Sequence, residues 1–154
     1  MSSLLDLGSG SGAASWAACT QFESLQTATL FERDPGLVAL GQQLAHAAAL
    51  APMGKAQWNT CSLQQAVLPQ ADLVIASYVL NELTEKESTS TARTMWHATK
   101  SALVIVEPGT TACFNHLNHI RSVLIDEGAH LLAPCPHATS CPLSNDDWCH
   151  FAQR

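Results

Sequence analysis

A glycine-rich turn near the start of the chain carries the residues with the clearest chemistry. The segment LLDLGSGSG places Asp6 two residues before Gly8, and Gly10 and Gly12 follow at alternate positions. Glycines let the backbone turn tightly and let a ligand approach it closely. A nucleotide-type ligand would lie there, beside the N-terminus of the helix that follows. The spacing therefore predicts a nucleotide-binding turn.

Two ligand classes fit this turn. Read as G-x-G-x-x-A with Ala13 last, it fits a dinucleotide fingerprint. Read as D-x-G-x-G-x-G, it resembles the first motif of class I S-adenosylmethionine methyltransferases, in which the acid lies near the methionine amino group. A carboxylate attracts a cationic ligand and repels a pyrophosphate, so Asp6 favours S-adenosylmethionine. Glu32 can bind both ribose hydroxyls in either class. A turn without any ligand is the remaining alternative.

Three cysteines near the C-terminus form the second set of reactive residues. Cys135, Cys141 and Cys149 are spaced C-x5-C-x7-C, which is wider than the pairs of zinc knuckles. The first two precede a proline, as some iron–sulfur ligands do, and His137 and His150 are additional candidate ligands. In a reducing compartment, clustered thiols are more often metal ligands or catalytic groups than disulfides. The pattern predicts a metal or cluster site, and the alternative is three unrelated thiols.

The composition excludes several classes of protein. The chain has 154 residues, 47% hydrophobic and 13% charged, which is typical of a folded domain. No apolar run is long enough to span a bilayer, so no membrane partner is expected. The formal net charge is −6, and the seven Lys and Arg residues are scattered singly. No DNA partner is expected, and an RNA partner would need contacts from other segments or proteins.

Short apolar strands alternate with helices along the chain. Strands are expected in SLLDLG, TATLFE, KAQWNT, DLVIASYVL and SALVIVE. Pro35 predicts a helix start, and the helix GLVALGQQLAHAAAL carries leucines at helical spacing, Leu37, Leu40 and Leu44. Another helix follows the fifth strand and would be capped by Gly128. The alternation predicts an α/β fold, a doubly wound and mostly parallel Rossmann-like sheet that binds ligands at the carboxyl ends of its strands.

The chain is expected to divide into two parts. Residues 1–130 would form an S-adenosylmethionine-binding, methyltransferase-like domain. Residues 131–154 would form an irregular Cys-rich segment that holds a metal or cluster site and is incomplete.

The strand ends supply the weaker candidates. Asn59 lies where methyltransferases commonly hold the adenine, and Ser77 ends the fourth strand, so both are candidate cofactor-binding residues. Tyr78 is either a pocket wall or a packing residue, and Glu107 either faces the pocket or simply ends a strand. No Asn-Pro-Pro-Tyr-like motif and no Pro-Cys nucleophile follows the fourth strand. The sequence therefore predicts no catalytic residue and names no methyl acceptor.

Several segments together resemble one family. LVIVEPGT, APCPHATSCPL, WCHFAQR and SYVLNEL, behind the LDLGSGSG turn, resemble the methyltransferase-like proteins associated with the small ribosomal subunit in bacteria and mitochondria. The resemblance covers nearly the whole chain. It implies a class I methyltransferase fold, binding to small-subunit ribosomal RNA during assembly, and a [4Fe-4S] cluster held by four cysteines. Three of those positions match Cys135, Cys141 and Cys149. The fourth lies further downstream in the family, so the chain is expected to be a longer protein truncated at both ends.

Three functional hypotheses follow. The first is an S-adenosylmethionine-dependent methyltransferase acting on or with small-subunit ribosomal RNA. The second is a non-catalytic assembly factor with a structural iron–sulfur cluster. The third is a small-molecule methyltransferase whose tail is stapled by zinc. The N-terminus resembles neither a secretory signal nor a transit peptide, so a bacterial cytoplasmic location is expected, or the mitochondrial matrix in a eukaryote.

Overall fold

Five parallel strands form the centre of the molecule. The computed structural model describes residues 1–48, 51–135, 137–143 and 147–151. The strands are β1 (Ser3–Leu7), β2 (Thr27–Glu32), β3 (Gln57–Thr60), β4 (Ala71–Ser77) and β5 (Thr99–Val106). They lie in the order β3-β2-β1-β4-β5, and every neighbouring pair is parallel. The doubly wound α/β sheet that the sequence predicts is confirmed.

Helices cover both faces of this sheet. They are α1 (Ala13–Gln21), α2 (Pro35–Ala47), α3 (Glu85–Ala98) and α4 (Thr111–Asp126). One buried cluster joins α1 and α2 to the first face, and a second cluster joins α3 and α4 to the other. Two short 3-10 helices, Met53–Lys55 and Leu80–Glu82, precede β3 and follow β4. None of the described helices combines the length and apolar character needed to cross a membrane.

Local capping signals fix several helix ends. The Asp34 carboxylate accepts hydrogen bonds from the backbone of Gly36 and Leu37, which starts α2 with Pro35 in its first turn. Gly128 ends α4 in the left-handed conformation, with φ of 89°. Its N–H donates to the Ile125 carbonyl while the next N–H donates to the Leu124 carbonyl. This is the Schellman arrangement, and it confirms the predicted glycine cap.

The buried face of α2 differs from the apolar pattern of its sequence. The helix ends at Ala47, and residues 49 and 50 of the expected helix lie outside the described residues. The leucines at helical spacing are exposed: Leu37, Leu40 and Leu44. The buried positions are Val38, Gly41 and Ala45. A β-carbon on Gly41 would overlap the ring of Trp58 from β3, so the small residues allow α2 to approach the sheet.

Candidate functional site

The predicted cofactor-binding residues meet at the carboxyl edge of the sheet. Asp6 is the next-to-last residue of β1, Glu32 ends β2 and Ser77 ends β4. The strands β1 and β4 are adjacent, and the chain leaves them toward opposite faces, into α1 and α3. In doubly wound sheets ligands bind at this switch point. The turn and its acids therefore lie where the fold places a ligand.

The glycine turn opens toward solvent at one position. All three of its glycines have positive φ: 66° at Gly8, 55° at Gly10 and 93° at Gly12. A β-carbon on Gly12 would lie 3.1 Å from Cη2 of Trp58 and 3.3 Å from Cε of Met53, so this glycine lets α1 pack tightly. A β-carbon on Gly10 would have no described atom within 4 Å. Gly10 is thus the place where a ligand can approach the backbone.

Glu32 joins the end of β2 to this turn. Its Oε2 accepts a hydrogen bond from the backbone nitrogen of Gly10 at 2.9 Å, and its Oε1 accepts one from Asp34 at 2.9 Å. The side chain is buried, with 8% of the residue exposed. A carboxylate has about four lone-pair sites, so each oxygen keeps capacity for another donor. The acid can hold the turn and still accept from a hydroxyl.

Asp6 is fully buried beneath the same turn. The Ser15 hydroxyl on α1 donates to Asp6 Oδ2 at 2.6 Å, whereas Oδ1 has no hydrogen-bond partner among the described residues. Burial raises the pKa of Asp6 to about 6, the Ser15 hydrogen bonds oppose this rise, and the negative charge of Glu32 adds to it. Two neighbouring acids favour a cationic ligand over a pyrophosphate. The unpartnered Oδ1 is an acceptor that a cationic ligand would satisfy, and because it is buried the turn must shift before a ligand reaches it.

Asn59 has a structural partner. It lies within β3, and its Nδ2 donates to the Leu30 carbonyl of β2 at 3.2 Å. At least one hydrogen of the Asn59 amide is therefore used in a bond between β3 and β2.

A cavity of about 240 Å³ lies away from the predicted residues. It opens between α3 and the turns of residues 61–70, which connect β3 to β4 without a helix. Its walls include Leu7, Leu63 and Thr94, and none of the predicted cofactor-binding residues lines it. The cavity is therefore separate from the predicted cofactor-binding residues.

Two side-chain contacts near the candidate site were not predicted from the sequence. Ser15 supplies the hydroxyl that holds Asp6, and its only sequence signal is its position one turn into the helix after the glycines. Glu107 accepts hydrogen bonds from three successive backbone nitrogens after β4, those of Val79, Leu80 and Asn81. An acid directly after an apolar strand is a weak sequence signal for such a role.

The Cys-rich segment packs against α4. Arg121 Nη2 donates to the carbonyls of His137 and Thr139, both at 2.8 Å, and Trp148 Nε1 donates to the Gly109 carbonyl at 3.1 Å. The predicted ligands are free thiols: Cys135, Cys141 and Cys149. Within the described part of the chain, no three His, Cys, Asp or Glu side chains are arranged to hold a metal ion. The described thiols are therefore not assembled into a metal site, and no chemical step is assigned to a metal.

The parallel sheet and its glycine turn belong to the Rossmann-like α/β fold of class I S-adenosylmethionine methyltransferases, as the solved structures that resemble this chain show. The magnesium protoporphyrin IX methyltransferase of Synechocystis PCC 6803, solved with bound S-adenosylmethionine, has the same fold. Its TM-score is 0.59 over 77% of this chain and 56% of its own, at 18% sequence identity. The chain belongs to the Rsm22 family, described as mitochondrial small ribosomal subunit Rsm22, whose model matches residues 1–154. The predicted family resemblance is confirmed.

Curated relatives are considerably longer than this chain. The human mitochondrial ribosome assembly protein METTL17 is 28% identical over 163 residues, which cover 97% of this chain and 36% of the relative. The mitochondrial Rsm22-cox11 tandem protein 2 of Schizosaccharomyces pombe is 28% identical over 157 residues, covering 91% of this chain and 21% of the relative. The chain thus spans about a third of the human protein and about a fifth of the yeast protein.

Proposed function

We propose that this chain is an S-adenosylmethionine-binding, methyltransferase-like protein that acts on or with the RNA of the small ribosomal subunit. The observation that carries the cofactor assignment is the pair of buried acids, Asp6 and Glu32, around a glycine turn at the switch point. The bound cofactor would supply an activated methyl group on a sulfonium centre.

Each residue of the turn has a distinct part in this proposal. The Asp6 carboxylate accepts from the ammonium group of the methionine moiety through its unpartnered Oδ1. Glu32 accepts from the ribose hydroxyls while it holds the Gly10 backbone. Gly10 leaves room for the ligand, and Ser15 keeps Asp6 oriented. Asn59 and Ser77 would line the same edge from β3 and β4.

The ribosomal partner is proposed from the family. The description of the matching family names the mitochondrial small ribosomal subunit, and the human relative is named a ribosome assembly protein. The net charge of −6 and the scattered basic residues imply that this chain alone contributes few phosphate contacts. The proposed location is wherever that subunit is assembled, the mitochondrial matrix in a eukaryote or the cytoplasm in a bacterium.

The Cys-rich segment is proposed to hold an iron–sulfur cluster, with zinc as the alternative metal, and to form a unit separate from residues 1–130. The support is the cysteine pattern and the anchoring of the segment by Arg121 and Trp148. Anaerobic reconstitution followed by iron and sulfide analysis tests this. Stoichiometric iron and sulfide that are lost in Cys141→Ser but kept in Cys19→Ser would support a cluster. Stoichiometric zinc would support the alternative, and no bound metal would exclude both for the chain of residues 1–154.

A non-catalytic assembly factor is the second candidate. Two acids near the end of β4 are engaged elsewhere, because Glu107 binds backbone nitrogens and Glu82 pairs with Arg33 at 2.9 Å. Neither Glu107 nor Glu82 is therefore free to act as a general base. Methyl transfer to small-subunit RNA separates the candidates, since product above the background of a heat-denatured sample would establish an enzyme.

The experiment that tests cofactor binding is calorimetric titration with S-adenosylhomocysteine. Micromolar binding, lost in Glu32→Ala and absent with NADH, is the expected result. If NADH gives the same heat as S-adenosylhomocysteine, the glycine turn would be assigned to a dinucleotide instead. No heat from a folded chain would overturn the proposed pocket.

A further inference from the structure

Tyr78 has an unusual backbone conformation for a bulky residue. Its φ is 59°, and among the described residues it is the only non-glycine with positive φ. An aromatic residue in the left-handed region is strained, and such strain persists only where surrounding contacts impose it. The residue is 57% exposed, so burial of the ring does not compensate. Tyr78 is therefore not a residue of the buried core, which was one of the two roles that the sequence left open.

Contacts on both sides hold the backbone of this turn. Tyr78 N–H donates to the Val106 carbonyl of β5 at 2.8 Å. Glu107 then accepts from Val79 at 3.2 Å and Leu80 at 2.8 Å through Oε1, and from Asn81 at 3.3 Å through Oε2. These bonds satisfy the free N–H groups at the start of the 3-10 helix Leu80–Glu82. The β5 end thus imposes the conformation that turns the Tyr78 ring out of the core.

The same turn touches the glycine loop. Val79 is buried, and a β-carbon on Gly8 would overlap its side chain. The residue next to Tyr78 therefore packs directly against the proposed cofactor loop. Since β4 and β1 are neighbours at the switch point, Tyr78 lies on the β4 side of the crevice, opposite the β1 turn.

We propose that the exposed Tyr78 ring is the surface on which a nucleobase of the acceptor RNA stacks, and that Glu107 is the residue that positions it. This inference rests on the proposed function, because it places the acceptor beside the cofactor loop. An aromatic face binds a base without regard to phosphate charge. The chain carries a net charge of −6 and scattered cations, so base stacking is the contact it can best supply.

Fluorescence anisotropy with a labelled ten-nucleotide single-stranded RNA tests the stacking. A matched RNA with abasic sites keeps the backbone and removes the bases. Tyr78→Ala is expected to weaken binding of the base-bearing RNA about tenfold, and Tyr78→Trp to restore it. The abasic RNA should bind the wild type and Tyr78→Ala equally. Phe22→Ala, which removes an exposed ring after α1 at the opposite edge of the sheet, is the matched control and should bind like the wild type.

Several outcomes would overturn the inference. They are equal losses in Tyr78→Ala and Phe22→Ala, an equal loss with abasic RNA, or no loss in Tyr78→Ala. If the chain binds free adenosine tightly through Tyr78 but does not bind RNA, the Tyr78 ring would be assigned to a small-molecule ligand instead.

The positioning role of Glu107 is tested by a double-mutant cycle. If Glu107 acts through Tyr78, Tyr78→Ala/Glu107→Ala binds RNA no more weakly than Tyr78→Ala alone. Additive losses would assign Glu107 an independent role. Calorimetry with S-adenosylhomocysteine on the same variants separates this inference from the proposed function. If the wild type does not bind S-adenosylhomocysteine, the proposed cofactor pocket is contradicted. If the wild type binds S-adenosylhomocysteine and Tyr78→Ala does not, the RNA-stacking role of Tyr78 is contradicted.

Discussion

The Oε2 atom of Glu32 lies 2.9 Å from the backbone nitrogen of Gly10, so the acid that ends β2 is hydrogen bonded to the turn that follows β1. The other oxygen of the same carboxylate binds the Asp34 nitrogen, which stands at the start of α2. One buried side chain therefore fixes the loop that would hold a nucleoside and the loop beside it.

Replacing Glu32 should affect stability and cofactor binding together. Glu32→Ala leaves two backbone N–H groups without their partner, which costs about 1–3 kcal/mol of unfolding free energy each if they stay dry. It also removes the proposed ribose acceptor, so affinity for S-adenosylhomocysteine should fall at least about tenfold. Urea unfolding and calorimetry measure the two effects. Glu23→Ala, an exposed acid after α1, is the control, and unchanged binding in Glu32→Ala would contradict the assignment.

Asp6 should make stability depend on pH in an unusual direction. Its pKa of about 6 in the folded chain lies above the ordinary value of 3.8, so the folded state binds the proton more tightly. The resulting stabilisation is full below pH 3.8 and is lost as pH rises through about 6. Two pKa units correspond to about 3 kcal/mol, as an order of magnitude.

The Asp6→Asn variant isolates this effect. It should be more stable than the wild type at pH 7.5, and the difference should shrink toward pH 4. Urea unfolding at intervals between these values measures it. Hydrogen bonds lower the pKa of Asp72 and of Glu87, so these two groups make stability rise with pH. They are present in both the wild type and Asp6→Asn, so their contribution cancels when the two stabilities are subtracted. A difference independent of pH would show that Asp6 is not protonated in this range.

The glycines of the turn should separate folding from ligand binding. Gly10→Ala adds a β-carbon in open space, so it should cost only the left-handed backbone strain, about 1 kcal/mol, and should block the approach of the cofactor. Gly12→Ala carries similar strain and also presses on Trp58 and Met53, so its loss of stability should be about 2 kcal/mol or more. Thermal unfolding and calorimetry distinguish them. Tight cofactor binding by a folded Gly10→Ala variant would contradict this arrangement.

The packing of α2 gives a test of the fold itself. Gly41→Ala would overlap the Trp58 ring and should destabilise the chain by about 1–3 kcal/mol, although alanine is the better helix former. Leu40→Gln changes a residue that is 45% exposed and should alter stability by less than about 0.5 kcal/mol. Urea unfolding of both variants provides the comparison. A larger loss in Leu40→Gln than in Gly41→Ala would mean that the leucine face is the buried one.

The sequence by itself determined the strands and helices and the place of the candidate residues along them. Alternating apolar strands and helices, the turn at Gly8 to Gly12 and the acid at Glu32 are local signals, because each depends on residues close together in the chain. They placed the five strands and predicted that the turn and its acids would meet at one edge. The metal assignment to Cys135, Cys141 and Cys149 stays a prediction.

Only the tertiary structure decided which faces are buried and which polar groups meet. The leucines of α2 are exposed because Trp58, from a later strand, packs against Gly41, and α2 alone carries no sign of that neighbour. Glu107 reaches the turn after β4 because parallel pairing aligns the ends of two strands far apart in sequence. Helical periodicity marks an apolar stripe, but the shape of the partner surface selects the face that packs closely.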